Sequence, residues 1–200
     1  MQSQVAGVPV GPEEAMRADL YGLLGRVLFT PPDAGMLTVL QGLTGDDSEM
    51  GKAFSALAAV AGATDPGHAL DEYNGLFIGL GRGELLPYAS YYLTGFLNEK
   101  PLAKLRTDMR ALGITRNDNV KEPEDHIGSL MEMMAGLIAG RYGDPAPLEM
   151  QQEFFSAHIE PWAGHFFKDL EAAELSRLYQ PVGTVGRLFV DIETNAFEMR

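Results

Sequence analysis

The 200-residue sequence contains no cysteine. That absence excludes disulfide scaffolds, cysteine-ligated zinc, iron–sulfur clusters and thiol catalysis. Basic residues are also scarce: 15 Lys and Arg stand against 28 Asp and Glu, a formal net charge of −13. So acidic a chain repels phosphate backbones, and no nucleic-acid binding is expected. Its field favours cationic partners instead. No apolar run approaches the roughly 18 residues of a membrane span, so direct membrane insertion is not expected. The opening stretch MQSQVAGVPVGPEEAMRADL lacks the basic and apolar regions of a secretory signal. The expected location is therefore the cytoplasm.

What is present is apolar content of 46%, the level of a globular chain. A single domain of this size buries roughly 70% of its unfolded surface. Residues 1–12 read as a loose arm, and 13–200 as one all-helical domain. Met16, Leu20, Leu23, Leu24, Val27 and Leu28 recur at three- and four-residue steps. Pro31-Pro32 ends that helix, and Asp33 and Ser48 are positioned to cap the next two. A fourth helix carries Leu70, Tyr73, Leu76, Phe77 and Leu80, followed by the breaker-rich GLGRGELLPY and a short helix over Ser90–Phe96. Further apolar faces run from Leu102 to Leu112, from Ile127 to Ile138, and from Leu148 to Phe166 with a break at Pro161. The last helical region spans Leu175–Ile192, with an interruption at Pro181. There is no period-two alternation and no fixed repeat. The expectation is an all-α, single-domain helical bundle of about eight or nine helices.

Few residues point to catalysis. The Gly79–Gly83 loop lacks the Gly-Lys-Ser/Thr end of a phosphate loop and the preceding strand of a dinucleotide site, so a sharp turn is the simpler expectation. His68, His126, His158 and His165 have no Glu three positions before them, and no metal is expected. Ser90 and Ser129 lack a nucleophile elbow. Pro123, Glu124 and Asp125 suit a helix N-terminus, where acids meet the positive end of the dipole. His126 would oppose that dipole if charged, so it should be neutral. Tyr73, Leu76, Phe77, Pro87, Tyr88, Tyr91 and Tyr92 cluster beside the glycine-rich loop. Both a core and a peptide-accepting groove bury such aromatics, and the spacing leaves both uses open.

Three segments together resemble the TorD/DmsD family, the cytoplasmic maturation chaperones of molybdenum-containing redox enzymes. The first is Tyr73-Asn74-Gly75-Leu76-Phe77 running on to Pro87-Tyr88-Ala89-Ser90-Tyr91-Tyr92. The second is Glu122-Pro123-Glu124-Asp125-His126, which matches the family's Glu-Pro-x-Asp-His box in full. The third is Phe154-Phe155, His158, Pro161-Trp162, Phe166 and Tyr179. The resemblance covers residues 13–195. It implies an all-helical, non-enzymatic chaperone, monomeric with occasional dimers. The partner it implies is the twin-arginine signal peptide, and the apo form, of a molybdoenzyme catalytic subunit whose export waits on cofactor insertion.

The same resemblance assigns signal-peptide binding to Leu76, Phe77, Pro87, Tyr88, Tyr92, Glu122, Asp125 and His126. No cofactor is implied beyond the weak guanine-nucleotide binding attributed to some members. Gly81, Tyr88 and Tyr92 stand where some relatives carry tryptophan, which changes the groove shape and hence partner choice. The rival expectations are a nitrate-reductase-type assembly chaperone for a non-exported subunit, a GTP hydrolase using the Gly79–Gly83 loop and His126, and a purely structural helical adaptor.

Overall fold

The computed structural model describes residues 10–116 and 120–199. Most of the expected 1–12 arm thus lies outside the described residues. Ten α-helices follow one another: α1 Pro12–Phe29, α2 Ala34–Gln41, α3 Glu49–Gly62, α4 Pro66–Tyr73, α5 Ala89–Thr94, α6 Lys100–Ala111, α7 Ile127–Ile138, α8 Leu148–His158, α9 Glu160–Ala172 and α10 Tyr179–Glu198. A π-helical turn, Asn74–Ile78, extends α4. Among the described residues there is no strand, only one isolated bridge between Tyr88 and His126.

Local capping accounts for several helix starts. The Asp33 carboxylate accepts from Met36 N–H, the Ser48 hydroxyl from Gly51 N–H, and Asp65 from Gly67 and His68 N–H. Each satisfies a donor that the first turn leaves unpaired. Pro161 does break the chain, falling in the first turn of α9.

Several expectations need correction. The described residues form ten helices against the eight or nine expected, because the break near Pro161 makes α8 and α9 separate helices. Pro181 interrupts nothing: it is the third residue of α10, where its missing N–H has no helical acceptor to lose. Met16, Leu70, Leu80, Leu175 and Ile192, read as inward-facing, are exposed. The short helix also starts at Ala89 and ends at Thr94, because Gly95 takes a left-handed conformation at its C-cap.

The core is aromatic. Trp162, Tyr21, Tyr179, Phe155, Phe166 and Phe167 are the largest fully buried side chains. α1 packs mainly on α7, and α10 on α9. Gly25 and Gly128 permit the α1–α7 approach: a Cβ on Gly128 would stand 2.9 Å from the Gly25 carbonyl oxygen. Arg17 of α1 reaches Glu193 of α10 through two hydrogen bonds, of 2.9 and 2.6 Å, and Gln151 of α8 at 3.0 Å. The buried Glu193 also accepts from the Tyr21 hydroxyl, so its charge is paired and bonded as burial requires.

Candidate functional site

The Glu122–His126 segment crosses the Pro87–Ser90 segment, and α5 and α7 both start at that crossing. Ala89 N–H donates to the Asp125 carbonyl at 3.0 Å, and Ile127 N–H to the Pro87 carbonyl at 2.8 Å. The Asp125 side chain, 1% exposed, accepts from both the N–H and the hydroxyl of Ser90. It therefore caps α5, a helix distant in sequence, and its other oxygen is buried without a partner. His126 is the N-cap of α7: its Nδ1 accepts from Gly128 N–H at 3.0 Å. Burial against the Phe29 and Tyr88 rings pushes its pKa down to about 3, so it is neutral.

The expected role of the acids is thereby corrected. Pro123, Glu124 and Asp125 precede α7 instead of forming its first turn. Glu124 is buried, and Arg106 grips it through three hydrogen bonds of 2.8 to 3.1 Å. Burial works against its charge, but the Arg106 guanidinium prevails and holds the carboxyl below its ordinary range. Glu84 is likewise engaged, accepting from the N–H groups of Glu174 and Leu175.

The residues expected to bind a peptide fall into two groups. Leu76, Phe77, Pro87, Asp125 and His126 are buried. Tyr88, Tyr92 and Glu122 keep surface in reach of solvent. Tyr92 packs on Trp162 and Phe166 and donates to Asp169 at 2.9 Å. The Tyr88 hydroxyl donates to Glu122; burial, and then that bond, push the Tyr88 pKa up. Among the described residues no Lys or Arg pairs with Glu122.

Glu122 stands at the rim of a cleft of about 430 Å³ between the end of α1, the segment after α6, and α7. Phe29, Met109, Ile114, Met133 and Tyr142 supply its apolar wall, and Arg26, Arg116, Glu124 and Glu132 line it as well. Sequence reasoning missed this cleft, because its residues come from four separate stretches with no shared motif. It also missed the exposed Leu93, Phe96 and Leu97 around the end of α5. The one available signal was a six-residue helix followed by more apolar residues than its buried face could take.

Residues 43–168, more than half of the chain, match the family described as nitrate reductase delta subunit. The chain belongs to that family. TorD proteins are among its members, which bears out the resemblance carried by the three segments. The "Chaperone protein TorD" of Vibrio cholerae El Tor N16961 is 26% identical over 202 residues, covering 91% of this chain and 92% of that protein. The protein of the same name from Vibrio cholerae O395 is 28% identical over 130 residues, 62% of this chain and 59% of its own length. The Photobacterium profundum TorD is 36% identical over 69 residues, a third of each chain. A solved structure described as a redox enzyme maturation protein from Archaeoglobus fulgidus shares the family fold at a TM-score of 0.58. It covers 95% of this chain and 99% of its own, at 19% identity.

Two further facts bound the site. Among the described residues no three His, Asp or Glu side chains gather as a metal site would require. No described helix is long and apolar enough to cross a membrane.

Proposed function

We propose that this chain is a maturation chaperone for a molybdenum-containing redox enzyme, and that it holds the twin-arginine leader of its partner in the cytoplasm until cofactor insertion is complete. Family membership and the named chaperone relatives support the chaperone reading. One observation carries the leader reading: Glu122 is a carboxylate without a cationic partner among the described residues, held by Tyr88 at the edge of apolar surface. A guanidinium seeks such a carboxylate in a two-pronged contact. Asp125 and His126 serve by fixing Tyr88 and the start of α7 around it, and Glu124 is already occupied by Arg106. The role is binding and release, with no chemical step. Micromolar affinity, about −8 kcal/mol, suits a ligand that must later be given up.

Calorimetry with a leader peptide of the partner enzyme tests this. Glu122→Gln should weaken binding about ten-fold with no change in thermal stability. Equal affinity of wild type and variant would remove Glu122 from the site, and absence of binding to any leader would end the leader reading. The family description favours a second reading, in which the partner is a non-exported nitrate reductase subunit whose N-terminus has no arginine pair. A leader with both arginines changed to glutamine distinguishes the two. It should bind poorly under the first reading and unchanged under the second.

A further inference from the structure

Two apolar surfaces flank Glu122, and a leader's apolar run can follow only one of them from an arginine held there. The first is the cleft between α1 and α7. Its roughly 430 Å³ matches a drug-sized ligand or a few side chains. The apolar part of a leader runs to about 7–15 residues, which that volume cannot hold.

The second surface lies along α5. Tyr88, which holds Glu122, immediately precedes this helix, and Leu93, Phe96 and Leu97 lie at its far end. These three are 44%, 69% and 42% exposed, within five consecutive positions. Apolar side chains so exposed and so close together mark an interaction surface. α5 has six residues and is therefore about 9 Å long. An extended peptide covers that distance in about three residues. Arg82 lies over the Tyr91 ring and donates to its hydroxyl, so the nearby cation is held aside on the glycine-rich loop.

We propose that the apolar run of the leader docks along α5 onto Leu93, Phe96 and Leu97, with the arginines at Glu122 fixing the direction of the peptide. This rests on the leader reading above and adds the path, the polarity and the register: apolar residues beginning about three positions after the arginine. The charge order of the ligand, cations first and apolar residues after, matches the order of Glu122 and the ridge along the helix. The buried Leu76 and Phe77 do not touch the peptide on this path.

The test uses the full chain and two synthetic peptides, one with the arginine pair and ten apolar residues, the other ending at the arginines. A double variant, Leu93→Ser with Phe96→Ser, should weaken the long peptide about ten-fold and leave the short one unchanged. Both residues are exposed, so folding is not at risk, and circular dichroism verifies this. A benzoyl-phenylalanine placed at position 96 should crosslink to the apolar run, and one at position 133 in the cleft should not. Unchanged binding of the long peptide, or crosslinking from 133 alone, would overturn the α5 path. A shift in sedimentation on mutating the ridge would overturn it in favour of a contact between two copies of this chain. If wild type binds neither peptide, it is the leader reading that fails.

Discussion

Asp125 and Ser90 lie 35 residues apart in sequence, yet one carboxylate oxygen of Asp125 takes both the backbone N–H of Ser90, at 2.8 Å, and its hydroxyl, at 2.5 Å. Asp125, one of the residues to which the family resemblance assigns signal-peptide binding, thus acts as a helix cap. Removing it strands two buried donors, at a cost of about 1–3 kcal/mol. Asp125→Ala should lower the urea midpoint accordingly, and Asp125→Asn, which keeps an acceptor oxygen, should lose less. If Asp125→Ala unfolds at the wild-type midpoint and only leader binding falls, the capping role is wrong.

His126 makes stability depend on pH in a defined direction. Its folded pKa is about 3, against 6.5 for an ordinary histidine. Below pH 6.5 the unfolded chain takes up a proton that the folded chain refuses. The contribution is therefore complete above pH 6.5 and is lost progressively as pH falls toward 3. His158 adds to the same trend: burial lowers its pKa more than Asp108 raises it. His126→Asn keeps a capping side chain without a titrating group. Its denaturation free energy should fall less steeply between pH 6.5 and 4, by up to about 1.4 kcal/mol per pH unit. Parallel slopes for the two proteins would refute the assignment.

Glu72 caps α10 from α4. Its Oε1 accepts from the N–H groups of Arg177 and Tyr179, and its Oε2 from that of Leu178. Charge-assisted bonds to three backbone donors make Glu72→Ala costly, at about 2 kcal/mol. A melting temperature lower by roughly 4–8 °C is expected. Faster amide exchange should be confined to the start of α10, and uniform exchange changes would argue against a local cap.

Gly79 and Gly81 sit in the same loop, yet their substitution should differ in effect. Both have positive φ, +61° and +97°. A Cβ at Gly79 would stand 1.9 Å from the Arg82 carbonyl oxygen, whereas one at Gly81 meets nothing within 4 Å. Gly79→Ala must therefore displace backbone, while Gly81→Ala pays only the conformational cost of about 1 kcal/mol. Thermal melts of the two variants should rank them in that order.

The helices and the short-range caps were legible in the sequence because their causes are local. Asp33 and Ser48 each act within three residues, so the pattern of one segment is enough. Glu72, Glu84 and Asp125 do the same work across 35 to 107 residues, and no window on the sequence contains both partners. Pro181 was readable in principle: a proline two residues into a helix is well tolerated, but the apolar spacing running back through Leu175 and Leu178 hid where the helix starts. The Glu122–His126 box was legible as a motif that carries the family resemblance. It did not separate the residue facing solvent, Glu122, from the buried Asp125 and His126 beside it, because burial there depends on where α5 crosses.

The position of Tyr179 carries a consequence for how the chain is made. Its hydroxyl donates to the Val27 carbonyl 152 residues earlier, and its ring packs edge-on against Phe77. A ribosome delivers α1 through α4 long before α10 exists. Until then Val27, Glu72 and Phe77 have no partner for these groups, and the growing chain carries an open apolar seam. Closing so long a loop costs chain entropy before any contact repays it. Folding of this protein should therefore be limited by the arrival of its last helix, and the nascent chain should depend on protection by other factors while it waits.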